Sequence, residues 1–132
     1  MRRSFVGLLA VVLGLTLVAA SCGSDDESAT KAAFIYVGPV GDAGWTYAHD
    51  QGRLAAAAET GVETAFVEAV PEGTADFGNY VRDFIDQGFN VIFGTSFGYM
   101  DDMEALAGEF PDVVFDHVSG YKANGTNFGN TF

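Results

Sequence analysis

Residues 34–53, FIYVGPVGDAGWTYAHDQGR, pass from a continuous apolar stretch through a glycine-punctuated loop into a helical pattern, and that order leaves few folds open. An uninterrupted apolar run at 34–37 suits a central parallel strand covered on both faces. Gly38, Gly41 and Gly44 let the following loop turn sharply and bring its backbone close to a ligand. In open α/β sheets ligands sit beyond the carboxyl ends of the strands, where this loop would hold Asp42 and Trp45.

The alternation recurs along the chain. Apolar runs at 33–37, 62–67, 91–94 and 113–118 predict four strands of a parallel sheet with helices between them. The first helix is expected over 45–60, with the alanines of 55–58 offsetting Gly52. In the second, Phe77, Tyr80, Val81, Phe84 and Ile85 fall at helical spacing, and Gly88 ends the pattern. The third repeats this with Met100, Met103, Leu106, Ala107 and Phe110 before Pro111, and Asp101, Asp102 and Glu104 suit the dipole at its start. Right-handed crossovers give the strand order 2-1-3-4. The loops 38–44 and 95–98 then share one crevice at the switch point. The fold class is α/β, a three-layer Rossmann-like parallel sheet.

The amino terminus has another purpose. Arg2 and Arg3 precede an uncharged run over 4–21, which is short for a membrane span and reads as a secretory signal. Arg2-Arg3 hints at twin-arginine export, but the short n-region and long apolar core favour the general route. The small residues VAAS at 18–21 stand immediately before Cys22 and resemble a bacterial lipobox, with Ala19 where leucine is usual. Cys22 is then the lipid-bearing first residue, and plain secretion with a free Cys22 is the alternative. Residues 22–31 form an acidic flexible tether, residues 32–123 an α/β lobe, and residues 124–132, rich in Asn and Gly, a truncated hinge or tail without an evident strand partner.

A single cysteine permits no intrachain disulfide, so the core alone must hold the fold. Without residues 1–21, four bases (Lys31, Arg53, Arg82, Lys122) face eighteen acids, a net charge of −14. Nucleic-acid partners are excluded on that balance, because phosphate binding needs clustered bases. The roughly 110 residues left can build one small core and not two domains.

Three segments in one order, the loop and helix start at 38–53, GTSFGYMD at 94–101 and FDHVSGYK at 115–122, resemble the basic membrane protein (PnrA-like) family of ABC-transporter solute-binding lipoproteins. The resemblance covers the chain after its signal, as the front part of such a protein. It implies the N-terminal lobe of a type I periplasmic binding protein, truncated before a second lobe, with a purine base or nucleoside as ligand and a permease as partner. It also implies an extracytoplasmic, membrane-anchored location.

Trp45, the only tryptophan, is expected to stack on a flat heterocycle or else to pack on the sheet edge. Asp42 is expected to accept ligand hydrogen bonds, to cap the helix, or both. Gly41, Ser96, Phe97 and Tyr99 complete the expected ligand set, with core packing the alternative for Phe97. Ser119, Gly120 and Tyr121 are expected to begin an interlobe crossing, with ligand contact the alternative. His49 and His117 have no second ligand at metal spacing, so no metal is expected. Adjacent Asp101 and Asp102 splay apart on a helix, and no serine sits in a nucleophile elbow, so no catalytic residue and no cofactor are expected.

Two alternatives remain open from the residues. One is a dinucleotide-binding enzyme domain, with Glu68 at the end of the second strand as the ribose-binding acid. Its weakness is a G-x-x-G-x-x-G spacing in place of G-x-G-x-x-G. The other is a truncated product with no binding role.

Overall fold

Each predicted apolar run becomes a strand, and a fifth joins them. The structure is a computed structural model describing residues 29–132, so the export signal, Cys22 and most of the tether lie outside the described residues. The strands are β1 (Lys31–Ile35), β2 (Glu63–Val67), β3 (Val91–Gly94), β4 (Val114–Val118) and β5 (Phe128–Thr131). All are parallel, in the order β2-β1-β3-β4-β5. The expected 2-1-3-4 core of the order is therefore present. Helices α1 (Trp45–Thr60), α2 (Asp76–Asp86) and α3 (Met100–Glu109) connect β1 to β4 in turn, with a 3-10 turn at Phe97–Tyr99 leading into α3, and a helix-free segment joins β4 to β5.

The first strand sits two residues earlier than its hydropathy suggests. Lys31 is tied into the sheet by its amide, which donates to Asn90 Oδ1 at 3.0 Å, and by its ammonium, which pairs with Glu63 at 3.0 Å. Tyr36 and Val37 leave the ladder with β3: the Tyr36 amide donates to Val67 O, and its carbonyl accepts from Val70. Hydropathy registers burial, and Tyr36 is buried, but it does not register the ladder.

Residues 124–132 require a correction. They do find a strand partner, with Phe115 opposite Phe128 and Val118 opposite Thr131. The Asn and Gly content that reads as irregular builds the turn into β5. Asn124 Oδ1 accepts from the amides of Thr126, Asn127 and Phe128 at 2.9–3.1 Å. Asn127 Nδ2 lies 2.9–3.1 Å from the carbonyls of Ala107, Phe110 and Val113, and so fastens the turn to the exit of α3.

The core lies on one face of the sheet. There α2 and α3 set Phe77, Val81, Phe84, Met103 and Leu106 against Ala33, Ile35, Ile92, Phe115 and Phe128. Tyr80, expected on the buried stripe of α2, is 40% exposed. Gly94 makes room for α3, since a Cβ there would lie 2.4 Å from Met103 Sδ. On the opposite face α1 alone, among the described elements, lies over the sheet. An open apolar trough of about 580 Å³ runs between them, past Ala32, Phe34, Ala56, Val62, Val91 and Phe93. Among the described residues no helix is long and apolar enough to cross a membrane.

Candidate functional site

The strand order reverses between β1 and β3, and the loops leaving these two strands meet at their carboxyl ends. Ile35 O, the last carbonyl of β1, accepts from both the amide (3.1 Å) and the hydroxyl (3.2 Å) of Thr95. Thr95 O in turn accepts from the Trp45 indole Nε1 at 2.6 Å. One tryptophan therefore joins the start of α1 to the loop after β3. With its N–H engaged, the ring is held in one orientation, and it is 47% exposed. His49, one turn along α1, meets the indole edge-on at 4.5 Å, and burial lowers its pKa.

Asp42 is a helix cap. Its Oδ1 accepts from the amides of Gly44 (2.8 Å) and Tyr47 (3.0 Å), and its Oδ2 from Thr46 (3.0 Å). These bonds, Tyr47's first, hold its carboxyl below the usual range. Little acceptor capacity is left for a ligand, chiefly on Oδ2. Ala43 sits at φ 54, a left-handed conformation in the turn that lets Asp42 reach back. Gly38 is needed for close approach, because a Cβ there would come 3.0 Å from Thr46 Oγ1. Gly41 is exposed, with open space around it.

The loop after β3 is held from a third side. Glu72, in the loop between β2 and α2, accepts through Oε1 from the Ser96 hydroxyl and from the Gly98 amide at 2.8 Å. Those two bonds, Ser96's first, lower its pKa. Ser96 is 9% exposed, and its carbonyl takes the Nε2 of His117 at 2.6 Å. Phe97 points outward, 57% exposed, with its ring 6.2 Å from that of Tyr121. Tyr99 does not line the crevice. It is fully buried, stacked on Phe77 at 4.3 Å, with its hydroxyl donating to Val70 O at 2.5 Å. Burial, then the charge of Glu72, pushes its phenol pKa up. Two residues apart in a tight turn, Phe97 and Tyr99 face opposite ways, a split that their shared aromatic character hides.

Trp45 is thus tied to the loop that carries Ser96 and Phe97, while Asp42 serves as a structural cap and Gly41 is exposed. Glu72 was not singled out from the sequence. The available signal was its position in the loop following an apolar strand run. Glu68, the candidate ribose acid of the dinucleotide reading, is committed elsewhere, since its Oε2 accepts from the Val40 amide at 2.6 Å. Tyr121, read as part of a crossing, stands beside Phe97 as a second exposed ring. Among the described residues no group of three or more His, Cys, Asp or Glu side chains is arranged to hold a metal.

Residues 29–132 match the model of a family described as PnrA-like ABC transporter substrate-binding proteins. A purine-binding protein of Brucella abortus is 46% identical over 117 residues, covering 87% of this chain and 32% of that protein. A Haloferax volcanii protein named for glucose binding in an ABC transporter is 40% identical over 103 residues, 76% of this chain and 25% of that one. The chain therefore spans between a quarter and a third of the length of these relatives. Among solved structures, an ABC transporter solute-binding protein of Conexibacter woesei superimposes with a TM-score of 0.64 at 21% identity, over 77% of this chain and 34% of that one. At that identity the likeness speaks for the fold alone.

Proposed function

The chain belongs to the PnrA-like family of ABC transporter substrate-binding proteins, and from that premise we propose that its carboxyl-end crevice forms one wall of a receptor site for a purine base or nucleoside. One observation carries the reading: Trp45 presents a half-exposed indole whose N–H is already tied to Thr95 O. A ring fixed in this way loses little freedom when a flat heterocycle stacks on it. Phe97 and Tyr121 add exposed aromatic surface from the neighbouring loops. Polar contacts would come from the backbone of the loops that carry Gly41 and Ser96. The Brucella relative named for purine binding supports the ligand class.

The rest of the reading follows the family. A permease would receive the ligand, and a second lobe of a full-length receptor would close over it by hinge motion. Residues 1–21 would direct export, and Cys22 would carry the lipid that anchors the protein outside the cytoplasm. Cys22→Ser should then abolish incorporation of labelled fatty acid in a bacterial host. Unchanged labelling would remove the anchor from the proposal.

Residues 29–132 would supply one wall of such a site, and a residue-level probe suits them better than calorimetry. The single indole gives one N–H resonance in a ¹⁵N spectrum. Adenine or adenosine should move this resonance and the amides of residues 95–98 saturably, and Trp45→Ala should erase the effect on those amides. The Haloferax relative motivates a second reading, since a pyranose also stacks on an indole face. Saturable shifts with glucose or ribose and none with purines would replace the first reading by the second.

A further inference from the structure

His117 is fully buried on the core side of β4, and it belongs to no metal-holding group of three or more His, Cys, Asp or Glu among the described residues. Its Nε2 lies 2.6 Å from Ser96 O. A carbonyl only accepts, so Nε2 carries a proton. Nδ1 is buried and has no hydrogen-bond partner among the described residues. An unsatisfied buried nitrogen is a cost that a leucine or phenylalanine of similar bulk would avoid. What the imidazole offers in return is the other nitrogen, and that nitrogen holds one backbone carbonyl.

The chain then folds back over the ring. Ser119 adopts φ 70, a left-handed turn, and Gly120 lands so close that a Cβ there would lie 1.7 Å from His117 Nδ1. The imidazole is wedged between Gly120 on one side and Ser96 O on the other, so its height is set from both ends. Ser96 is flanked by Thr95, whose carbonyl anchors the Trp45 indole, and by Phe97, whose ring is exposed. His117, Ser119 and Gly120 of the third sequence segment thus act together on the loop that belongs to the second.

We infer that His117, as its Nε2–H tautomer seated under Gly120, is the positioning residue of the proposed site, setting where the 95–97 backbone lies and through it the orientation of Trp45 and Phe97. This rests on the purine-receptor reading for its purpose, but not for its geometry. Glu72 is the second tie on the same loop and acts through the Ser96 hydroxyl and the Gly98 amide.

The test uses ¹⁵N-labelled protein and three variants, His117→Leu, His117→Gln and Gly120→Ala. In the wild type the imidazole nitrogens should show the Nε2–H tautomer. His117→Leu should shift the Trp45 indole resonance and speed exchange of its N–H by about tenfold, as loss of one hydrogen-bonded tether allows. His117→Gln, whose amide nitrogen reaches towards the same carbonyl, should return both towards wild type, a rescue that loss of packing alone would not show. Gly120→Ala should move the indole as well, by pushing the ring, and it decides the matter if His117→Leu does not fold. An indole unmoved in both variants would overturn the inference. Adenine titrations separate it from the reading beneath it. If adenine leaves the wild-type indole unchanged while His117→Leu displaces it, the positioning role stands and the purine reading falls. Wild-type adenine affinity in a folded His117→Leu protein would sink the positioning role and leave the purine reading intact.

Discussion

On one face of the sheet, α2 and α3 turn Phe77, Val81, Phe84, Met103 and Leu106 inward, whereas on the other face α1 turns Thr46, Asp50, Arg53 and Ala57 towards the strands. These four lie at helical spacing, as the inward stripe of a packed helix must, yet only one of them is apolar. Arg53 bonds Asp50 at 2.8 Å and Thr64 Oγ1 at 3.0 Å, and its guanidinium lies 4.7 Å over the Phe66 ring. Tyr36 donates its hydroxyl to Asp50 at 3.3 Å, and burial, followed by the charge of Asp50, pushes its phenol pKa up. Dispersion and burial tolerate small slides of one surface over another, but directional bonds such as those joining Asp50, Arg53, Tyr36 and Thr64 admit one arrangement, although the buried Thr46 Oγ1 finds no partner among the described residues. The helix whose first residue is Trp45 is therefore fastened by the more directional of the two modes, which suits an element that carries the ring of the proposed site.

The largest effect that would break this contrast is on the apolar face. Phe77→Ala should cost about 3–5 kcal/mol in urea unfolding, as large-to-small changes in a packed core do. Leu54→Ala on the exposed side of α1 should cost under about 0.5 kcal/mol. Similar losses from the two would mean that α1 is held by apolar contact after all.

Next in size, Asp50→Ala strips Arg53 and the Tyr36 hydroxyl of a shared partner, and a loss of about 2–4 kcal/mol is expected. Hydrogen exchange should localise the damage to α1 and leave α2 and α3 protected. Uniform loss of protection would erase the distinction between the faces.

Smaller still is the pH dependence of the two carboxylates at the site. Asp42 and Glu72 both have folded pKa values below their ordinary 3.8 and 4.5. Each therefore contributes stability that is present above those ordinary values and is lost as pH falls through the lower folded ones. The stability gap between wild type and Asp42→Asn should be open at pH 7 and close in the acid range below about pH 4. A gap that widens on acidification would contradict the capping role. The smallest effect belongs to the exposed Arg82–Glu109 pair at 2.6 Å between α2 and α3. Arg82→Ala should leave the urea midpoint within experimental error, because solvent screens such pairs.

Much of this architecture is legible along the chain. The runs that became β2, β3 and β4, the whole of α1 and the close of α3 before Pro111 follow from periodicity and from the residues that end helices. The crevice between the first and third strands follows from the handedness of crossovers. The members of the site are less legible. Trp45 and Phe97 are exposed, Tyr99 points into the core, and Asp42 spends its oxygens on the amides at the start of the following helix. The polar inward stripe of α1 is invisible to a search for apolar periodicity, and β5 is invisible to one that treats Asn and Gly only as strand breakers.

The sequence by itself determined the α/β class, the order of the elements, the acidic surface and the place where the glycine loop meets the helix. All of these depend on local period, charge and turn chemistry, which neighbouring residues carry between them. The tertiary structure alone decided which polar atoms meet: Trp45 with Thr95 across 50 residues, Ser96 with Glu72 across 24, and His117 with Ser96 across 21. A hydrogen bond depends on direction and distance to within a few tenths of an ångström. No local pattern encodes such a match, because the partner is chosen only when the sheet has brought distant loops to the same end.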